Sequence, residues 1–288
     1  MNKGILFVLS GYLMWGCFPL YWALLNHVNP SEVLFHRILW SVPVLFFLVY
    51  FKTSWRLNLK ESLSSKKEVV FLLITSILIT INWGCYILAV NLGRVVEASM
   101  GYFLSPVINM IGGYIFFHER ISKLKQMAVF FATVGALYYV LSGDSFPWLG
   151  FIVGFTFSAY GIARKAMASS AVPGLYIETL ILLPFFLIFS IWFYSNFEVA
   201  FLNIDISTDV LLFFAGAVTV IPLALFNAGA KLLPMTTVGI LFLITPTLHF
   251  LVGYYLQNEQ VNSNQLIGFI GVWTGLIMYS YGLIRENS

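Results

Sequence analysis

Long apolar stretches separated by short polar turns follow one another along the whole chain. A helix needs about 20 mostly apolar residues to cross a hydrocarbon core roughly 30 Å thick. Membrane-spanning strands would alternate in polarity with a two-residue period, and runs such as residues 69–81 do not. The pattern therefore predicts ten transmembrane helices, near residues 4–25, 31–51, 69–91, 97–117, 124–142, 147–164, 174–195, 209–230, 236–256 and 265–284.

An internal repeat relates the two halves of this pattern. Residues 102–119 (YFLSPVINMIGGYIFFHE) align without a gap with residues 242–259 (FLITPTLHFLVGYYLQNE). Self-similarity at a fixed offset in a membrane protein indicates two structural repeats, a common design of secondary transporters. The matched pairs are Pro106 and Pro246, Gly113 and Gly253, Tyr114 and Tyr254, Glu119 and Glu259, Gly135 and Gly275, and Tyr139 and Tyr279.

Composition and charge add the orientation. Hydrophobic residues make up 60% of the chain, charged residues 9%, and the mean hydropathy is +0.89, which is typical of an integral membrane protein. If both termini are cytoplasmic, thirteen of the fifteen Lys and Arg residues lie on the cytoplasmic side, as the positive-inside rule requires. Arg94 is then the one external basic residue, and Arg37 lies within a span. The net charge of +3 resides in cytoplasmic loops and needs no nucleic-acid partner.

Five spans in each half make the second half enter the membrane from the opposite side. The sequence thus predicts an all-α integral membrane protein with ten transmembrane helices in two inverted five-helix repeats, residues 1–143 and 147–285. The halves divide at the short link 143–147 (GDSFP), which has turn chemistry. The longest loops, around residues 52–67 and 196–208, are too short for a soluble domain.

Arg37 lies six residues inside the second span and Glu178 lies four inside the seventh, where a charge costs roughly 2.5–3.5 kcal/mol on insertion scales. Each is followed six residues later by a proline, Pro43 or Pro184. At 1.5 Å per residue, roughly 15 Å of membrane normal separates them, too far for a direct pair. Our hypothesis is one gate at each mouth of a central pathway, and the alternative is that both residues reach the interface and anchor their helices. The available partners are Glu32 or Glu97 for Arg37, and Arg164 or Lys165 for Glu178.

Further candidates for the substrate pathway lie deeper. Asn82, Asn109 and His249 are polar residues well inside spans, and Asn109 corresponds to His249 in the repeat. Such positions hold the substrate in repeat-built transporters, although they also simply bond neighbouring helices. Aromatic residues near mid-span or beside Asn82 add cavity-lining candidates, although most such residues are structural. They are Tyr12, Trp15, Trp83, Tyr86 and Tyr160.

Small and rigid residues suggest where helices bend or approach closely. Pro106 and Pro246 remove backbone hydrogen bonds in matching spans and predict helix kinks beside the pathway. Gly271 and Gly275 form a GxxxG motif in the last span. Such a motif brings helices together either inside the bundle or between two subunits, so a homodimer is one of its two uses.

The repeat and the sparse central polar groups favour a secondary transporter of a small organic solute. A passive solute channel is the alternative, and a membrane-embedded enzyme is less favoured because no nucleophile–base set or HExxH motif is present. Both cysteines, Cys17 and Cys85, lie in predicted spans, and no metal-ligand spacing or cofactor motif appears. No enzyme activity, metal or cofactor is expected.

Three segments carry a family resemblance: KGILFVLSGYLMWGCFPLYW near the N-terminus, EVLFHRILWSVP around Arg37, and NWGCYILAVNLGRVVEASMGYFLSPVINMIGGYIFFHER. The chain resembles the RarD group of the EamA family, in the drug/metabolite transporter superfamily, over essentially its whole length. The resemblance implies a bacterial inner-membrane permease of two EamA repeats, multi-pass, with cytoplasmic termini and a central cavity between the halves. It links the group to chloramphenicol sensitivity or resistance without giving a substrate.

Overall fold

The computed structural model of the chain describes residues 3–92, 102–142, 148–256 and 263–286. Within these residues the chain forms α-helices and a short 3-10 turn, Tyr102–Leu104, with no strand. The α-helices, numbered in chain order, are α1 Lys3–Gly16, α2 Phe18–Ala23, α3 Pro30–Phe51, α4 Thr53–Ser64, α5 Lys66–Asn91, α6 Ser105–Phe117, α7 Lys123–Leu141, α8 Trp148–Ala166, α9 Ala171–Asn196, α10 Ile206–Ala230, α11 Met235–Phe242, α12 Ile244–Leu256 and α13 Ser263–Glu286.

The protein is all-helical and multi-pass, as the apolar pattern predicted. Six described segments are long and apolar enough to cross a membrane: Lys3–Ala23, Pro30–Phe51, Lys66–Tyr86, Ala171–Asn196, Ile206–Ala230 and Met235–Val252. Two shorter apolar segments are Tyr102–Phe117 and Leu266–Gly282. The count of ten crossings stays a prediction, and the link at residues 143–147 lies outside the described residues.

One helix was not predicted. The sequence indicated a loop around residues 52–67, but α4 occupies most of it. Its Trp55 and Leu59 pack against the hydrophobic core, whereas Arg56 and Lys60 are exposed. This is an amphipathic helix, too short and too polar to register as a membrane span.

The prolines mark helix starts as well as bends. Pro106 lies in the first turn of α6, directly after the 3-10 turn, and Pro246 is the third residue of α12, after an interruption at Leu243. A proline is tolerated in a first turn because the N–H that it lacks has no partner there in any case. The kinks predicted at Pro106 and Pro246 thus correspond to breaks between helical segments.

The GxxxG motif packs inside the chain. A Cβ on Gly135 of α7 would meet Gly271 of α13 at 2.8 Å, and one on Gly275 would meet the Ala132 Cβ at 2.7 Å. Only glycine allows this approach of α7 and α13. The motif is therefore used within the bundle, and a homodimer remains a prediction without a surface assigned to it.

Helices from the two halves alternate in the bundle. α1 packs against α10 and α12, and α5 packs against α8, which also contacts α6. α3 packs against α9 and α10, and α6 packs against α11. Every one of these helices therefore has a neighbour from the other half of the chain.

Candidate functional site

A cavity lies among helices of both halves. It holds about 690 Å³ of space not occupied by atoms, including space open to the surroundings. Its walls are aromatic and aliphatic with a few polar groups, and they comprise Trp15, Phe18, Trp22, Arg37, Ile79, Asn82, Trp83, Tyr86, Tyr102, Phe157, Thr219, Leu223, Phe242, Thr245 and His249.

Arg37 supplies the charge of this cavity. Its guanidinium carbon lies 5.0 Å from the ring centre of Trp22 and 5.1 Å from that of Trp83. Its Nε donates a hydrogen bond to Thr219 Oγ1 at 3.0 Å. Among the described residues Arg37 has no carboxylate partner, and Glu97 lies outside them. Glu32 is not its partner either, because the buried Glu32 carboxylate accepts hydrogen bonds from backbone amides at residues 200–201.

Three other polar groups of the cavity are bonded to neighbouring helices. Asn82 Nδ2 donates to the Val153 carbonyl at 2.8 Å, and His249 Nε2 lies 3.0 Å from the Trp15 carbonyl. Thr245 Oγ1 donates to the carbonyl of Tyr12 at 3.1 Å. These bonds join α5 to α8 and α1 to α12, so they also fix the walls in place.

Equivalent residues of the internal repeat meet at the cavity. Tyr102 and Phe242 open the two matched segments, both line the cavity, and their ring centres lie 5.0 Å apart. Each precedes a matched proline, Pro106 or Pro246, by four residues. Proline lacks the N–H that would bond the carbonyl four positions earlier, so regular helical pairing is broken beside the cavity in both halves.

A cluster of rings, which we call the aromatic floor, lies at one end of the cavity. It consists of Tyr12, Phe157, Phe226 and Phe242. The ring of Phe157 lies 5.1 Å from Phe226 and 5.0 Å from Phe242, and Tyr12 is 5.0 Å from Phe242. The Tyr12 hydroxyl donates to the Val238 carbonyl at 2.9 Å.

Beyond the floor lies a polar cluster, which we call the inner network, centred on Glu178. Arg164 Nη1 is 3.5 Å from Glu178 Oε1, and the two side chains are 0% and 4% exposed. Thr75 Oγ1 donates to Glu178 Oε1 at 2.5 Å, and the Tyr160 hydroxyl donates to Oε2 at 3.1 Å. Asn227 Nδ2 in turn donates to Tyr160 at 2.9 Å. Glu178 therefore pairs with Arg164, one of the two partners that the sequence allowed.

The inner network continues into the segment between α8 and α9, residues 167–170. Glu68 accepts hydrogen bonds from two backbone amides of this segment, each at 2.9 Å. Lys231 Nζ donates to the carbonyls of Met167 and Ser169. Arg164 Nη2 donates to the carbonyl of Ser170 at 3.3 Å. Burial, reinforced by the charge of Arg164 and opposed by that of Glu68, lowers the pKa of Lys231 from 10.5 to about 8.

Lys165, the other predicted partner of Glu178, pairs elsewhere. Its Nζ lies 2.6 Å from Glu119 Oε1 and donates to the Leu233 carbonyl at 2.6 Å. Glu119 also accepts a hydrogen bond from the Met235 amide at 2.8 Å, at the start of α11. This pair therefore ties α8 to the beginning of α11, and Glu259, the repeat equivalent of Glu119, lies outside the described residues.

Three helices order the cavity and the inner network along the bundle axis. Helix α5 runs from the network to the cavity, while α8 and α10 run the other way. Twelve residues separate Thr219 from Lys231, which is about 18 Å of helix. The order is Glu68, Thr75, Asn82 and Tyr86 on α5; Phe157, Tyr160 and Arg164 on α8; and Thr219, Leu223, Asn227 and Lys231 on α10.

The predicted site residues divide among these layers. The cavity brings together Trp15, Arg37, Asn82, Trp83, Tyr86 and His249. Tyr12 lies in the aromatic floor, Tyr160 and Glu178 lie in the inner network, and Asn109 packs against Gly239 of α11. The described residues include no group of three or more His, Cys, Asp or Glu able to hold a metal ion.

Several important residues were missed by sequence reasoning. Trp22 and Thr219 contact Arg37. A single sequence does not indicate this, because the direction in which each side chain points depends on the rotation of its helix. Tyr102 had a signal, since it begins the internal repeat. Glu68 and Lys231 were not singled out from the sequence, and both are bonded to the segment at residues 167–170.

Comparisons with known proteins find the same family along nearly the whole chain. A sequence model of the EamA-like transporter family matches residues 2–141 and again residues 146–281. "Uncharacterized transporter YojE" of Bacillus subtilis is 34% identical over 99% of this chain and 95% of its own length. "Protein RarD" of Escherichia coli is 32% identical over 96% of this chain and 94% of its own. "Chloramphenicol-sensitive protein RarD" of Pseudomonas aeruginosa is 28% identical over 99% and 95%.

The fold recurs in a solved crystal structure. That chain superposes with a TM-score of 0.72, covering 96% of this chain and 97% of the other, at 14% sequence identity. Identity this low carries the helical architecture alone.

Proposed function

Because the chain belongs to the EamA-like transporter family, we propose that it is a secondary transporter that moves a small organic solute across a bacterial inner membrane by alternating access. A role as a membrane transporter follows from the family and from relatives named as transporters. The mechanism and the class of solute are the proposed part. Bacterial relatives of nearly equal length support the location.

The proposed architecture is ten crossings in two inverted repeats, residues 1–143 and 147–285. Helices α1 and α2 form one crossing, α11 and α12 form another, and α4 lies at the membrane surface. Two consecutive matches to the same family support this division. The packing supports it too. In each half the third crossing, α5 or α10, packs against the first crossing of the other half, α8 or α1.

Orientation follows from the basic residues. Lys and Arg are retained in cytoplasmic loops, so the side of the inner network, with Lys231 and Lys165 near it, is the cytoplasmic side. Both termini are then cytoplasmic, and the cavity lies in the outer half of the bundle. The protein is accordingly in a state closed toward the cytoplasm.

The observation that carries alternating access is the order of the layers. A cavity, an aromatic floor and a bonded polar cluster follow one another along α5, α8 and α10. A carrier exposes its site to one side while the other side is sealed, whereas an open channel needs a continuous path. We propose that the pair of Glu178 and Arg164 separates when the cytoplasmic side opens, while Arg37 contacts the solute.

Vesicles containing the full-length protein test this function. They are loaded with an isotopically labelled extract of bacterial metabolites, and loss of each solute is followed by mass spectrometry. A carrier gives saturable loss that unlabelled extract outside accelerates. Protein-free vesicles and the variant Gly84→Ala, whose new Cβ meets nothing within 4 Å, serve as controls. Electrical conductance at near-diffusive rates, without exchange, would instead establish a channel.

A further inference from the structure

We propose that the solute is an organic anion, a carboxylate on an aromatic or other apolar body, whose carboxylate binds the Arg37 guanidinium inside the cavity. The assignment of a transported solute rests on the proposed function, whereas the binding preference is a property of the cavity itself.

The first step is the charge of the cavity. Arg37 is the one Lys or Arg among its described lining residues, and none of those residues is Asp or Glu. Of the two acidic partners that the sequence offered, Glu32 is engaged with backbone amides at residues 200–201, and Glu97 lies outside the described residues. The cavity therefore presents a positive charge with no countercharge among the described residues.

The second step is the geometry of the guanidinium. Among the described residues its hydrogen bonding is limited to Nε, which donates to Thr219 Oγ1 at 3.0 Å. The two terminal amino groups keep their donors, and Trp22 and Trp83 flank the group at 5.0 and 5.1 Å. A planar fork of N–H donors held against aromatic rings matches the two oxygens of a carboxylate.

The third step compares the half-buried Arg37 with the fully buried Arg164. Arg164 bonds two backbone carbonyls and lies beside Glu178, so protein groups already occupy its fork. A structural role accounts for Arg164. The same role does not account for Arg37, because a charge kept in a cavity at cost and left without a protein countercharge is typical of a ligand-binding group.

The sign of the ligand follows from electrostatics. A second positive charge beside Arg37 would be repelled inside the cavity, and an anion would be attracted. A neutral solute would leave the arginine uncompensated. A single cation balances a monoanion, which favours a carboxylate over a doubly charged phosphate.

The body of the ligand follows from the walls. Trp15, Phe18, Phe157 and Phe242 provide aromatic faces, and Ile79 and Leu223 add aliphatic surface. Such walls bury apolar groups favourably and stack on rings. Asn82, Thr245 and His249 are the few polar groups typical of such a lining, and each already bonds a neighbouring helix.

The experiment uses the full-length protein in lipid nanodiscs and measures thermal stabilisation by added solute, which reports binding to the folded state. Three carboxylates are tested, namely 3-phenylpropionate, indole-3-acetate and hexanoate, each beside its amide and the corresponding amine. We expect each carboxylate to reach half-maximal stabilisation at a concentration at least about tenfold below that of its amide, and the amines to bind no better than the amides.

Variants assign the preference to a residue. Arg37→Gln should raise the half-maximal concentration of the carboxylates about tenfold or more and leave the amides within about twofold. Arg56→Gln, which removes an exposed arginine of α4, is the matched control and should change neither. Preference for an amide or amine, an undiminished carboxylate preference in Arg37→Gln, or no stabilisation by any carboxylate would overturn the inference.

Two outcomes separate this inference from the proposed function. Saturable vesicle exchange of a neutral or cationic solute, unaffected by Arg37→Gln, would overturn the anion assignment and leave the transporter intact. If carboxylate binding needs Arg37 but the protein only conducts current, the anion assignment stands and the transporter function is overturned. Because Glu97 lies outside the described residues, Glu97→Gln is included, and loss of the preference there but not in Arg37→Gln would remove the role of Arg37.

Discussion

Arg37 and Glu178 occupy matching places in the two halves, six residues before Pro43 and Pro184, yet their surroundings are opposite. Glu178 is buried against a cationic side chain and two hydroxyl donors. Arg37 faces a cavity, with one hydrogen bond and two indole rings. The internal repeat thus made Arg37 and Glu178 equal candidates for gate residues, whereas their surroundings in the structure differ.

The difference separates two reasons for keeping a charge in a membrane. A charge whose partners are all protein groups holds helices together, and its removal leaves another charge unpaired. A charge whose donors face a cavity has its partner outside the protein. Stability measurements should therefore respond to Glu178, and ligand binding should respond to Arg37.

The largest expected effect is on stability. Glu178→Ala should lower the free energy of unfolding by about 3–5 kcal/mol, because Arg164 is left charged and fully buried. Arg37→Gln should lower it by less than about 1 kcal/mol, since two cation–π contacts are lost but a desolvated charge is also removed. Unfolding by denaturant in one detergent compares the two.

A double variant checks the cause. Arg164→Met with Glu178→Leu removes both charges and should recover most of the loss, because apolar replacement of a buried pair is often neutral or stabilising. Equal losses in Glu178→Ala and Arg37→Gln, or no recovery in the double variant, would erase the distinction between the two residues.

A smaller effect is expected from crowding the inner network. Gly174 makes room for Arg164, because a Cβ at position 174 would overlap the guanidinium. Gly174→Ala should therefore cost about 1–3 kcal/mol in unfolding free energy, the usual range for overpacking. Gly84→Ala on α5 should cost nothing, since its Cβ would meet no atom within 4 Å. A harmless Gly174→Ala would mean that Arg164 is free to move aside.

Accessibility should follow the same division. In a Cys17→Ser, Cys85→Ser background, Tyr86→Cys in the cavity should react with a membrane-impermeant thiol reagent about tenfold faster than Thr75→Cys in the inner network. Both positions are on α5, about 16 Å apart along the helix. Labelling is followed by mass spectrometry of intact protein. Similar rates would show that the aromatic floor and inner network do not seal the cavity.

The sequence predicted the helical fold well because membrane thickness fixes the length of an apolar segment. It missed α4, whose 12 residues are amphipathic and shorter than a span. Counting residues along the chain also predicted that Arg37 and Glu178 are too far apart to pair, and in the structure they lie in different layers. Their depth in the membrane stays a prediction.

The sequence did not predict which side of each helix faces the cavity. Tyr160 and Trp83 are both near mid-span, but one bonds Glu178 and the other lines the cavity. Asn109 and His249 match in the repeat, yet only His249 lines the cavity. Rotation about a helix axis depends on which neighbours it meets, and a single sequence does not contain that information. The functional roles of all these residues remain proposals.

The smallest expected effect is a pH dependence at the edge of the inner network. Lys231, one residue beyond α10, has a pKa lowered from 10.5 to about 8, first by burial and then by Arg164. Between about pH 8 and 10.5 the unfolded chain keeps this proton and the folded protein releases it, so stability rises with pH across that window. Below pH 8 the folded protein carries the charge at a cost.

The rise should be on the order of 1 kcal/mol, because Lys231 is partly exposed and its charge is screened. Denaturant unfolding at pH 7.5 and pH 9.5 measures it against Lys231→Met, which lacks the titrating group and should not show this part of the rise. Parallel changes in the two proteins would mean that Lys231 is solvated as in water. The inner network would then end at Glu68 and Arg164, and α10 would contribute to it through Asn227 alone.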